Sequence, residues 1–227
     1  MRIALIYAGT GDRRRDAASG LKMPPLGLPL LAALTPGDAE IAVYDDSRRP
    51  VDVSERFDLV GISALTPTAP RAYCLADEFH RRGAKVVLGG IHPSTLPNEA
   101  AEHADSVVVG EAERTWPQLV EDFAAGRLKA RYCTDNHAPL EDLPVPRWDL
   151  LPRGYHPLRV TMTSRGCPHR CGFCVVSRHF GTTLRHRPIE DLAAELRTYF
   201  PRRHPFFERA RRWFPRGSGI PYFAAKR

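Results

Sequence analysis

No run of about 18 apolar residues occurs in the 227-residue chain, so the sequence predicts no membrane span. The N-terminal stretch MRIALIYAGTGDRRR lacks the longer apolar region and cleavage site of a signal peptide, and reads as a buried first strand. Without an export signal the expected compartment is the cytoplasm, where thiols stay reduced and clustered cysteines serve metals or catalysis. Acid is scarce in one place only. Residues 1–197 hold 25 Lys and Arg against 25 Asp and Glu, whereas 198–227 hold eight bases and one acid, Glu208. The formal charge of +7 is therefore the charge of a tail, which argues against a nucleic-acid-binding body. No internal repeat is present.

What the chain does have is alternation. Ile3–Tyr7, Ile41–Tyr44, Leu59–Ile62, Val86–Leu88 and Val107–Val109 are short, continuous apolar runs, the pattern of parallel strands covered on both faces. Between them lie helical stripes: Leu26, Leu30, Leu31 and Leu34; Ala72, Leu75, Ala76 and Phe79; Trp116, Leu119, Val120 and Phe123. Gly37, Gly83 and Gly126 stand where each helix would stop. Strands alternating with helices predict an α/β fold with right-handed crossovers, a doubly wound parallel sheet occupying residues 1–137. Residues 138–157 are Pro-rich and aperiodic and read as a linker. A further strand is expected over 158–164, leading into a cysteine loop, with a helix after Pro188 that gathers Ile189, Leu192, Ala193 and Leu196. The segment 198–227 crowds arginines, aromatics and prolines without helix or strand spacing and is expected to be poorly ordered. Two weaker readings stay open for it: residues foreign to the fold, as after a frameshift, or an arm that binds phosphate and stacks bases.

Three of the five cysteines, Cys167, Cys171 and Cys174, form a C-x3-C-x2-C array. Three close thiolates can hold three corners of a cubane iron–sulfur cluster and leave the fourth iron open, which suits a substrate-activating site. Zinc is the competing reading, with His169 or His179 as fourth ligand, although no second cysteine pair stands at the distance common in zinc sites. An odd cysteine count opposes a disulfide. Cys74, within a helical pattern, and Cys133, standing alone, read as ordinary thiols. Phe173 would supply an apolar wall beside Cys174. A dinucleotide site is weakly signalled: Gly9-x-Gly11 follows the first strand, but the third glycine is missing and Arg13–Arg15 crowd its place.

The stretch SRGCPHRCGFC, after a strand and before a helix, closely resembles the cluster loop of the radical S-adenosylmethionine enzymes. The resemblance implies a [4Fe-4S] cluster on Cys167, Cys171 and Cys174, with Phe173 bordering the adenosine. It implies that the open iron chelates S-adenosylmethionine, and that an electron from the cluster cleaves it to methionine and a 5′-deoxyadenosyl radical. A flavodoxin- or ferredoxin-like reductant would supply that electron. The first 125 residues in turn resemble the cobalamin (B12)-binding domain that precedes the barrel in one subgroup of these enzymes. The matching pieces are PPLGLPLLAAL (24–34), YDD (44–46), GISALT (61–66), VVLGGIHPSTLPNEA (86–100) and VVVGEAERTWPQLV (107–120). This likeness implies that Ser63, Leu65, Gly89 and Gly90 line the cobalamin pocket. The Asp-x-His-x-x-Gly loop of the wider cobalamin family is absent after the first strand, so no histidine is expected there for cobalt; His92 reads as a loop residue.

The expected architecture is thus a Rossmann-like cobalamin domain, followed over 158–197 by the start of a (β/α) radical S-adenosylmethionine barrel that is incomplete in this chain. The expected function is that of a B12-dependent radical enzyme of the methyltransferase or cyclase kind, possessing an unidentified small-molecule substrate. The alternative is a non-catalytic cobalamin-binding module with a vestigial cluster loop.

Overall fold

The computed structural model describes residues 1–18, 23–134, 137–151 and 160–199. Two compact units are present, Met1–Pro188 and Ile189–Arg227. Of the strand expected over 158–164, residues 158 and 159 lie outside the described residues and, of the other five, only Ser164 is in a strand; nearly all of the tail lies outside the described residues.

The first unit is built on a six-stranded sheet. Its strands are β1 (Arg2–Tyr7), β2 (Glu40–Asp45), β3 (Leu59–Ser63), β4 (Lys85–Gly89), β5 (Ser106–Val109) and β6 (Arg131–Cys133), in the order β2-β1-β3-β4-β5-β6. Every pairing is parallel: Ile3 stands beside Ile41 and Leu59, Val60 beside Val86, Leu88 beside Val107. The chain leaves β1 toward β2 and returns to the other side of β1 as β3, so the winding reverses there. That reversal makes the expected doubly wound sheet.

Successive side chains of the strands enter two different cores. Ala4, Ile6, Val60, Ile62, Val86 and Leu88 face α3 (Ala69–Arg81), which contributes Ala72, Leu75, Ala76 and Phe79. Ile3, Leu5, Leu59, Val87 and Val108 face α2 (Gly27–Leu34) and α6 (Thr115–Ala124), through Leu28, Ala32, Trp116, Leu119 and Val120. With both faces buried the central strands cannot alternate apolar with polar, hence the continuous runs. Burying a side chain of this size stabilises by roughly 1.5–3 kcal/mol, and each central strand contributes several.

Four short elements were not legible in the apolar pattern: α1 (Arg13–Ala18), α4 (Ile91–Thr95), α5 (Pro97–Ala101) and the edge strand β6. In β6 only Tyr132 is buried; its hydroxyl donates to Asp122 at 2.9 Å. The Pro-rich segment, where described, packs on the domain: Ala138, Leu140 and Trp148 are buried, and the Arg147 N–H donates to the Pro29 carbonyl at 2.9 Å.

After residue 160 the sheet does not continue. β7 (Ser164–Arg165) runs antiparallel to β8 (Arg185–His186), and between them lie the cysteine loop and α7 (Val176–His179). The described part of the expected barrel opening is thus a two-residue ribbon closing a loop. The second unit is described as α8 (Ile189–Tyr199), with Glu190 and Asp191 in its first turn and Arg197 in its last, an order that complements the helix dipole. Among the described residues no helix is long and apolar enough to cross a membrane.

Candidate functional site

A cavity of about 490 Å³ opens at the carboxyl ends of β3, β4 and β5. Its floor is the sheet face that carries Leu5, Gly61, Val87 and Val108; Leu28, Leu30 and Trp116 wall it from α2 and α6. Gly61 is closely covered by its neighbours: a Cβ there would stand 3.1 Å from Leu5 Cδ2 and 3.3 Å from the Trp116 ring, so any larger residue would have to displace them. Met162, Ser164, Arg165, Gly166, Val176, His179 and Phe180 form the roof, placing the cysteine-loop segment directly over the sheet.

Of the four residues that the resemblance implies for a cobalamin pocket, Ser63, Gly89 and Gly90 line this cavity; Leu65 does not, and is 37% exposed. Gly90 has φ +95°, and a Cβ on it would lie 2.8 Å from the Ala64 carbonyl oxygen and 2.9 Å from Ser63 Oγ. Only glycine fits both the conformation and the space. His92, next on α4, is buried rather than loop-exposed. It pairs through Nε2 with the Tyr73 hydroxyl and Glu99 and through Nδ1 with the Thr66 hydroxyl, which makes it a structural histidine.

Cys167 and Cys174 are partly buried, Cys171 is exposed, and none is in a disulfide. The loop is pinned at its ends: the Cys167 N–H donates to the Gly181 carbonyl at 3.1 Å, and the Cys174 N–H to the Cys171 carbonyl at 3.0 Å. Gly166 is required here as well, since it has φ +94° and a Cβ would clash with the Thr183 carbonyl. A second cavity of about 370 Å³ lies beside the loop, lined by Ser94 and Thr95 of α4 together with Phe173, Cys174, Arg178 and His179. Phe173 is 95% exposed and walls nothing but this smaller space. Burial pushes down the pKa of His179, which lines both cavities, against the pull of Glu111.

In number and kind, three free thiols on one loop are the donor set of a cluster with an open iron. Among the described residues, however, no three His, Cys, Asp or Glu side chains are gathered to hold a single metal ion. That includes the zinc alternative with His169 or His179. The larger cavity fits an organic cofactor in kind: it is mostly apolar, its lining includes Gly61, Gly89 and Gly90, and its volume lies in the usual small-molecule range.

Sequence reasoning left unassigned the charged residues that join floor to roof. Glu111 and Glu113 follow β5; Arg165 precedes the cysteine loop and Arg185 follows it. The Glu111 side chain is 1% exposed and meets Arg185, Arg165 (3.2 Å), His137 (3.4 Å) and the Ala138 N–H (3.0 Å). Arg165 also reaches Glu113 at 2.6 Å and stacks over Phe180. Burial alone would raise the Glu111 pKa, but the bonds from Arg185 and the charge of Arg165 hold it below the usual glutamate range. The only sequence signal was the spacing of two acids one residue apart after a strand.

A parallel doubly wound domain with its cavity at the carboxyl ends of the strands is the architecture of a nucleotide- or cofactor-binding protein. Comparison with known proteins narrows this. Residues 16–120 match the B12 binding domain family. The bacteriochlorophyllide d C-8(2)-methyltransferase of Chlorobaculum tepidum is 38% identical over 168 residues, 70% of this chain and 37% of that protein. The C-12(1)-methyltransferase of the same organism is 30% identical over 189 residues, 80% of this chain and 41% of that protein. The chain therefore spans about two fifths of the length of these relatives. In fold it is similar to the radical S-adenosylmethionine methyltransferase TsrM of Kitasatospora setae, solved with tryptophan and an S-adenosylmethionine analogue. The TM-score is 0.65 at 20% identity, over 87% of this chain and 45% of that one. Residues 16–120 thus carry the match to the B12 binding domain, and the chain is similar in sequence to these two methyltransferases.

Proposed function

We propose that this chain is the cobalamin-binding and cluster-binding part of a B12-dependent radical S-adenosylmethionine enzyme that transfers a methyl group. The observation that carries the reading is the placement of an apolar, glycine-floored cavity in the B12-family domain directly beneath the segment that holds Cys167, Cys171 and Cys174. Methyl transfer is favoured over cyclisation by the sequence likeness to the two bacteriochlorophyllide methyltransferases.

When bound, a [4Fe-4S] cluster, S-adenosylmethionine and cobalamin would supply one-electron cleavage and methyl carriage. This chain's residues would do the holding. Cys167, Cys171 and Cys174 would bind the cluster, and the exposed flank of Cys171 would leave it within reach of a flavodoxin- or ferredoxin-like reductant. Phe173 would border the adenosine. Ser63, Gly89 and Gly90 would let cobalamin approach the strand ends, with Leu65 at the rim; Leu5, Leu28 and Trp116 would keep water from its buried portion. The substrate is a small molecule, and the compartment is the cytoplasm.

A second reading, a cobalamin-binding module without catalysis, is favoured by one observation: the family match covers residues 16–120 and stops before the cysteine loop. Anaerobic reconstitution with iron, sulfide and hydroxocobalamin separates the two. The proposal expects about four irons and one cobalamin per chain, and dithionite-dependent release of 5′-deoxyadenosine or S-adenosylhomocysteine from S-adenosylmethionine. Cobalamin uptake without iron, or a loaded protein that leaves S-adenosylmethionine intact, would establish the second reading.

A further inference from the structure

Between the sheet and the cysteine segment the contacts of the roof are ionic, and they converge on one buried carboxylate. Glu111 accepts from Arg185, which follows the cysteine loop, and from Arg165, which precedes it. Two chain positions that bracket the loop are thereby tied to a single residue at the end of β5. Arg185 is held in turn by the Phe180 carbonyl at 3.0 Å, and Arg165 by Glu113 at 2.6 Å. Two carboxylates face two guanidiniums, so the cluster is close to neutral and both carboxylates are met with directed contacts, leaving Arg185 Nε as its one buried donor without a partner among the described residues. That balance is what a buried ionic group needs to persist. The β7–β8 ribbon has only two residues in each strand, too few to fix the loop by backbone pairing.

We infer that Glu111 and Glu113 are positioning residues. They set the height and orientation of the cysteine loop over the cavity, whose wall they share, by gripping Arg165 and Arg185. The inference rests on the cluster-binding function proposed above, but the grip can be measured without any cofactor.

The test uses the full chain in two stages. In the cofactor-free protein, hydrogen exchange is followed at the Cys167 and Arg187 N–H groups, which bond to the Gly181 and Thr163 carbonyls. Glu111→Ala should speed both by about tenfold or more while β1 and β3 amides keep their rates. Glu111→Gln, which can still accept from Ala138 and the guanidiniums, should fall between. Unchanged loop exchange, or an equal rise throughout the sheet, would overturn the inference. After anaerobic reconstitution, the electron paramagnetic resonance spectrum of the reduced cluster provides the second readout. Glu111→Ala should lower iron uptake several-fold and broaden the signal, with Glu111→Gln restoring part of both. An unaltered signal at full uptake in Glu111→Ala would overturn the positioning role. If the wild-type chain takes up no iron, the proposed function falls and the exchange measurement alone decides whether the grip exists.

Discussion

Asp46 and Glu111 are the two carboxylates on which the strand-end loops depend. Asp46 receives a two-pronged contact from Arg71, at 2.9 Å and 2.8 Å, together with the N–H groups of Val51 and, at 3.4 Å, Gly9. Burial would raise its pKa, yet these donors hold it below the usual aspartate range. The stability it contributes is therefore complete above that range and is lost as the pH falls through it. Asp46→Asn should cost about 3 kcal/mol near neutral pH, since it leaves a partly buried guanidinium without its charge partner. In thermal melts the gap between variant and wild type should close below about pH 4. A gap that persists unchanged into acid would show that the carboxylate's charge is irrelevant. Residues of this kind divide sharply in how legible they are. The three cysteines announce themselves by local spacing. Asp46 and Glu111 do not, because Arg71 lies 25 positions from the one and Arg185 lies 74 positions from the other. Only the fold brings such pairs together.

At the scale of elements, legibility follows from burial on both sides. β1, β3, β4 and β5 read as strands because their central side chains enter one core or the other, and α3 and α6 because one stripe does. β6 hides because one buried residue between two exposed ones carries no pattern. The β7–β8 ribbon hides because ions and a glycine, rather than apolar periodicity, shape it. Gly61 lies within the stretch GISALT, but its use emerges only from its neighbours: Leu5 and Trp116 close on it in the floor of the cavity. Gly61→Leu should drive a side chain into that contact and the space beside it. Overpacking against Leu5 and Trp116 should cost about 1–3 kcal/mol, leaving a folded chain, while cobalamin affinity falls at least about tenfold. Affinity equal to wild type in a folded Gly61→Leu protein would move the cofactor out of this cavity.

At the scale of the whole molecule, the first unit brings two chemistries to one space. The sheet offers the apolar cavity, the segment after residue 160 offers three thiols, and the salt cluster on Glu111 joins them. The domain half of this arrangement was legible in the sequence because parallel strands and crossover helices leave periodic marks. The join was not, since it depends on the way the segment folds back over the strand ends. Proximity between the two chemistries is the claim on which the rest depends, and one measurement addresses it directly. The full chain is loaded anaerobically with cobalamin and cluster and reduced, and the microwave-power saturation of the cob(II)alamin paramagnetic signal is recorded. A paramagnetic cluster close by should relax the cobalt spin, so the signal should saturate at clearly higher power than in a Cys167→Ala, Cys171→Ala, Cys174→Ala protein. Identical saturation in the two proteins, with the cluster shown to be present and reduced in the first, would contradict the account.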